Sequence, residues 1–165
     1  MTMTRIPFTT TWIEQGRILA GSIPQLPEDL AVLKAQGIQV ILSLTRRDIE
    51  TYPNMIQAAY EFGHISFPIP DGGIADDAVM LNAAQVLHES MQRRLPIYVH
   101  CRGGIGRTGM ILLAYYVLHR GLSLAQAKEL VKVRRNYEGN ASAIEQGSPQ
   151  REWIDGLGAR QHGDQ

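Results

Sequence analysis

The sequence predicts an α/β fold: a central, mostly parallel sheet flanked by helices on both faces. Three observations lead there. Short apolar runs of strand length alternate along the chain with longer segments of helical character, the order of a layered α/β domain. One run, Val40-Ile41-Leu42-Ser43-Leu44, is apolar enough for a strand buried on both faces. The densest glycine cluster, Gly103 to Gly109, falls between a strand-like and a helix-like segment. Folds of this kind bind ligands in that position, beyond the carboxyl ends of strands.

The elements follow in order. Trp12-Ile13 and Arg17-Ile18-Leu19-Ala20 flank Gly16 and read as two short strands joined by a turn, broken off by Gly21-Ser22-Ile23-Pro24. Pro27-Glu28-Asp29 opens a helix, with proline and acids in its first turn; Leu30 and Leu33 continue it and Gly37 stops it. After the central strand, Tyr52 to Phe62 reads as a short helix ended by Gly63, and His64 to Ile69 as a strand stopped by Pro70-Asp71-Gly72-Gly73. Asp76 or Asp77 stands where it can cap a long helix from Ala78 to Arg93, with Val79, Ala83, Val86, Leu87 and Ser90 along one side. Leu95 to Val99 is a strand and Thr108 to Arg120 an apolar helix. Ser123 caps a helix over Leu124 to Arg135, Asn136 to Pro149 is a loop, and Gln150 to Leu157 is a terminal helix.

Composition sets the outer bounds. A chain of 165 residues, 44% hydrophobic and 19% charged, suits one packed domain rather than a disordered segment. That domain is expected to span residues 1–165, with a core over about 10–158 and flexible termini. Sixteen basic residues balance sixteen acidic ones, which argues against non-specific attraction to nucleic acid or anionic membrane. Anion recognition must then come from a local site. A single cysteine excludes an internal disulfide. The apolar run Met110 to Leu118 is about half of the roughly 20 residues a membrane-crossing helix needs. No apolar signal region occupies Met1 to Thr11, so a cytoplasmic protein is expected.

The chemistry concentrates in His100-Cys101-Arg102-Gly103-Gly104-Ile105-Gly106-Arg107-Thr108-Gly109. Glycine there lets backbone N–H groups turn inward as an anion nest. The following helix adds the positive end of its dipole. Both favour a thiolate at Cys101, and the thiolate is the nucleophilic form. Arg107 can return across the loop, where its planar fork suits bidentate contact with a phosphate. Thr108 is placed to hydrogen-bond the thiolate, or to stabilise it again as a leaving group. Three other readings compete. An inert packed cysteine fits poorly between His100 and Arg102 in a glycine loop. Gly104-Ile105-Gly106-Arg107-Thr108-Gly109 matches a dinucleotide fingerprint, but the acidic residue that should end the next strand is missing and Cys101 and Arg107 are left without a role. A nucleoside-triphosphate loop needs lysine where Arg107 stands.

His100-Cys101, Gly104, Arg107 and Thr108 fit the pattern His-Cys-x-x-Gly-x-x-Arg-Ser/Thr, which resembles the signature of the cysteine-dependent protein tyrosine phosphatase superfamily. Arg17 to Pro24 and Gly37 to Thr45 look like the first strands of its compact dual-specificity members. The resemblance implies a phosphate loop between a strand and a helix, formed by Arg102, Gly103, Gly104, Ile105, Gly106 and Arg107. It implies attack by Cys101 on phosphorus, a phosphocysteine intermediate and its hydrolysis by water, with no metal or other cofactor. Asp71, on a loop after a strand and before two glycines, resembles the general acid that protonates the leaving oxygen. His100 is expected to orient the loop by hydrogen bonds. Some members position water with a glutamine after the last loop, for which Gln146 and Gln150 are the candidates here.

The resemblance also bears on substrate. No segment corresponds to the phosphotyrosine-recognition loop of longer members, so the chain resembles the dual-specificity group. That implies phosphotyrosine, and also phosphoserine and phosphothreonine, in protein or peptide partners, without nucleic acid or membrane. Arg46 or Arg47, just after the central strand, can reach the rim of the site, and Arg102 adds positive charge within the loop. Lys128, Lys132, Arg134 and Arg135 make one helix end basic, most simply as a solvated face. Two alternatives stay open: a non-protein substrate (phosphoinositide, inositol phosphate, nucleotide or RNA 5′ end), and a phospho-recognition module without turnover.

Overall fold

A computed structural model describes residues 6–46, 61–103, 106–134 and 148–163. Strands β1 (Thr10–Glu14) and β2 (Ile18–Gly21) are followed by helix α1 (Pro27–Ala35), then β3 (Val40–Ser43) and β4 (Gly63–Ser66). Helix α2 (Asp77–Gln92), strand β5 (Ile97–His100) and helices α3 (Gly106–His119), α4 (Leu124–Arg134), α5 (Pro149–Asp155) and α6 (Leu157–Gly163) complete the described elements. The sheet runs β1-β2-β5-β3-β4. Among the described strands only the β1–β2 pair is antiparallel; β2, β5, β3 and β4 are parallel. The last strand in sequence therefore lies at the centre, between two strands that precede it. The chain leaving β5 emerges where the winding reverses, the place at which open α/β sheets hold ligands.

Strand periodicity divides the core between the two faces of the sheet. Leu19, Ile41 and Tyr98 point to one face and pack with Leu30 and Leu33 of α1, Ile38 and Phe62. Ile18, Ala20, Val40, Leu42, Ile97 and Val99 point to the other, against α2 and α3. Both faces are buried, which is why β2, β3 and β5 contain so little polar surface. Helix α3 is buried from Arg107 to Val117. It packs against α2, α4, α5 and α6 as well as β5, and so is apolar all round instead of amphipathic.

The expected elements that fall within the described residues are present with shifted ends, and of the loop expected over Asn136 to Pro149 only Ser148 and Pro149 are described. Helix α1 begins at Pro27, where Asp29 Oδ2 accepts from the N–H groups of Gln25 and Leu26 at 2.8 and 3.0 Å. Ser123 and Gln126 cap α4 reciprocally, at 2.9 and 3.1 Å. Strand β5 starts at Ile97 rather than Leu95, because Leu95 still bonds back to Ser90 O at 2.9 Å. The terminal helix is divided at Gly156 into α5 and α6. Asp76 occupies the cap position of α2, but its side chain makes no cap bond. Of the helix expected over Tyr52 to Phe62, only Glu61 and Phe62 lie within the described residues.

Gly21 closes β2 next to the central strand. A Cβ there would collide with the Thr9 carbonyl oxygen and crowd the Tyr98 hydroxyl at 2.7 Å. Gly21→Ala should lower stability by about 1–3 kcal/mol, because backbone has to move. Denaturant unfolding checks this, and an unchanged midpoint would contradict the close approach.

Candidate active site

Strand β5 ends on His100, paired with Gly21 of β2 on one side and Ser43 of β3 on the other. The pairing continues past the strand: Leu44 N donates to His100 O and Ile23 N donates to Arg102 O, each at 3.0 Å. The start of the glycine loop is thus fixed to both neighbouring strands. Cys101 sits there, 3% exposed and outside any disulfide. Helix α3 begins at Gly106, so the first helical N–H groups face the loop. Arg102 is half-buried and Gly103 exposed, whereas Gly104 and Ile105 lie outside the described residues.

Arg107, in the first turn of α3, is 2% exposed. Its Nη1 donates to the carbonyl of Ile69 at 3.1 Å, and its Nη2 lies 3.5 Å from Asp71 Oδ1. The carboxylate itself is mostly exposed. Asp71 occupies a tight turn in which Gly73 N bonds to Pro70 O at 3.0 Å. Gly72 has φ +72, a conformation that glycine adopts without strain. The loop from Ile69 to Gly73 thus reaches the Arg107 side chain through a backbone carbonyl and a carboxylate.

His100 is buried and holds the loop from the strand side. Its Nδ1 donates to Cys101 O at 3.0 Å, and its ring stacks on Tyr98 at 5.7 Å. Its Nε2 is 2.7 Å from Ser43 Oγ, which is also 2.7 Å from His64 Nε2. The Ser43 hydroxyl thus bridges the two imidazole rings. The Tyr98 hydroxyl donates to Ser22 O. Burial first, and then negative charge at Cys101 and Asp29, holds the Tyr98 phenol well above its ordinary pKa.

Gln150 is buried, and its Nε2 donates to Gly73 O at 3.0 Å. Gln146 and Arg47 lie outside the described residues; Arg46 is half-buried just past β3. Thr108 is buried. Helix α3 takes it into a buried first turn, where its hydroxyl has no hydrogen-bond partner among the described residues and makes no bond to Cys101. Sequence reasoning missed Ser43 and His64. The available signal was a lone hydroxyl ending an otherwise apolar strand.

No group of three or more His, Cys, Asp or Glu suited to a metal ion occurs among the described residues. A cavity of about 510 Å³ lined by Gly16, Arg17, Met91, Arg94, Leu95 and Pro96 lies at the amino ends of β2 and β5, remote from Cys101.

Residues 7–150 match the family described as the Swiss Army Knife protein, DSP-PTPase phosphatase domain. The chain belongs to that family, and is a compact, dual-specificity-like member of the cysteine-dependent phosphatases. Among relatives, it is 28% identical over 116 residues to phosphatidylglycerophosphate phosphatase PTPMT2 of Arabidopsis thaliana, covering 70% of this chain and 50% of that protein. It is 30% identical over 108 residues to dual specificity protein phosphatase Mpk3 of Drosophila melanogaster, covering 65% of this chain and 25% of that one. The chain thus spans half or less of the length of these curated relatives. The crystal structure of Tk-PTP in the active form superposes with a TM-score of 0.75 at 23% identity, covering 92% of this chain and 97% of that one.

Arg107→Lys tests the buried fork. An ammonium cannot reproduce two parallel contacts, so affinity for phosphate or vanadate should fall about tenfold or more. Calorimetric titration reads the loss; unchanged affinity would mean that the anion binds elsewhere.

Proposed function

We propose that the chain hydrolyses phosphate monoesters by a two-step, cysteine-dependent route. The observation that carries this reading is the buried Arg107, which begins the helix after the Cys101 loop and touches the loop bearing Asp71 at 3.5 Å. A phosphoryl group held by that guanidinium and the loop N–H groups is presented to both functional groups. Cys101 Sγ attacks phosphorus, the bond to the leaving oxygen breaks, and the proton of Asp71 passes to that oxygen. Water then attacks the phosphocysteine, gives its proton to Asp71, and the phosphorus–sulfur bond breaks with return of the thiolate. Arg107 and the N–H groups of residues 102–107 hold the non-reacting oxygens throughout. His100 keeps the loop in place through the Cys101 carbonyl. The Thr108 hydroxyl, buried and uncommitted to any described residue, is the donor available to the departing thiolate.

The proposed substrates are phosphotyrosine, and also phosphoserine and phosphothreonine, in proteins, which the likeness to a dual specificity protein phosphatase supports. A second reading, a phosphorylated lipid headgroup, is favoured by the likeness to a phosphatidylglycerophosphate phosphatase. Among the described residues no helix is long and apolar enough to cross a membrane. We place the activity in a reducing compartment such as the cytoplasm, where the thiol stays free.

Cys101→Ser should abolish turnover yet retain substrate, because the anion nest survives. Incubated with phosphopeptides, phosphoinositides and phosphatidylglycerophosphate, it should capture the phosphopeptides; selective capture of a lipid would transfer the assignment. Turnover by this variant would refute the nucleophile. Asp71→Ala should slow hydrolysis of phenyl phosphate about a hundredfold or more and that of an ester with a good leaving group much less. Equal losses in steady-state kinetics would contradict the acid role.

A further inference from the structure

Gln150 is spent on the acid loop rather than left facing solvent. Its Nε2 donates to Gly73 O at 3.0 Å, and Gly73 closes the turn that bears Asp71. A Cβ built on Gly106 would lie 3.1 Å from its Oε1, so the same amide packs against the first residue of α3. The glutamine therefore lies between the loop that carries the acid and the helix that carries Arg107.

Its own helix is firmly anchored. Ser148 Oγ accepts from Arg151 N at 3.2 Å and caps α5. One turn on, Trp153 Nε1 donates to Asp77 Oδ1 at 3.1 Å, and Arg160 Nη2 reaches Asp77 Oδ2 at 2.8 Å. The Arg160 guanidinium lies 5.8 Å from the centre of the Trp153 ring. Hydrogen bonds from Arg160 and then Trp153 hold the Asp77 carboxyl below its ordinary pKa. The segment from Ile69 to Asp77 is thus fixed at three points: Ile69 by Arg107, Gly73 by Gln150, and Asp77 by Trp153 and Arg160.

We infer that Gln150, seated by the Asp77–Trp153–Arg160 cluster, is a positioning residue that holds the Asp71 turn over the phosphate loop for protonation of the leaving group. The inference rests on the proposed role of Asp71 as general acid. It assigns to Gln150 a part in the first chemical step, through Gly73, distinct from placing water in the second.

Gln150→Met keeps length and apolar bulk but removes the donor, and Trp153→Phe keeps an aromatic ring but removes the donor to Asp77 Oδ1. In each variant kcat/KM for phenyl phosphate should fall on the order of fivefold to tenfold, as expected for one lost hydrogen bond. For an aryl ester with a good leaving group the fall should stay within about twofold, since that step scarcely needs the acid. In an Asp71→Asn background, Gln150→Met should add nothing further. Because kcat/KM ends at phosphorylation of the cysteine, water placement cannot produce this pattern. Equal losses on both esters, or a further loss in the Asp71→Asn background, would overturn the inference. So would an unchanged kcat/KM with a lowered kcat and accumulating phosphoenzyme, which would make Gln150 a water-positioning residue. If Asp71→Asn itself shows no dependence on the leaving group, the acid assignment fails first, and that result is read separately from the Gln150 variants.

Discussion

A guanidinium buried at the start of a helix is the constraint from which the site follows. Removing such a charge from water costs several kcal/mol unless the surroundings answer it. Arg107 is answered by the Ile69 carbonyl and faces the exposed carboxylate of Asp71. Both groups belong to the chain leaving β4, far from Arg107 in sequence. One side chain therefore sets the distance between the loop that holds Cys101 and the loop that holds Asp71. Lysine could offer the charge, but not the two directed N–H groups that span this gap.

The rest of the fold keeps that side chain still. Strand β5 is central and buried on both faces, so its carboxyl end moves only with the sheet. Helix α3, which carries Arg107, is enclosed by the sheet and by α2, α4, α5 and α6. Polar anchors then hold the loops: Ser43 and His100 on the strand side, Gln150 and Asp77 on the helix side. The apolar core supplies rigidity, while the hydrogen bonds supply register between loops that share no secondary structure.

What was legible in the sequence is what is local. His100 to Thr108 carries its strand end, glycine turn and helix start in one short stretch, and Asp71 is marked by the proline and glycines around it. Strands β3 and β5 could be read because burial on both faces leaves an uninterrupted apolar run. The pairings across the fold could not be read in this way. Gln150 and Gly73 are 77 residues apart, and Ser43 and His100 are 57 apart. Asp77 looked like a helix cap, since an acid before an apolar helix commonly is one, but its two oxygens are taken by Trp153 and Arg160 from the far end of the chain. The neighbours of Thr108 in sequence suggest a partner for Cys101, and its hydroxyl is buried and uncommitted to any described residue.

The account stands or falls on a covalent bond between phosphorus and the sulfur of Cys101. The most direct measurement is rapid quenching of the wild-type protein during turnover of a radiolabelled aryl phosphate, followed by peptide mapping. The account predicts label on the peptide containing Cys101, formed in step with the first release of phenol and absent from Cys101→Ser. Steady release of phenol with no protein-bound phosphate in the burst, or label on any other residue, would contradict it.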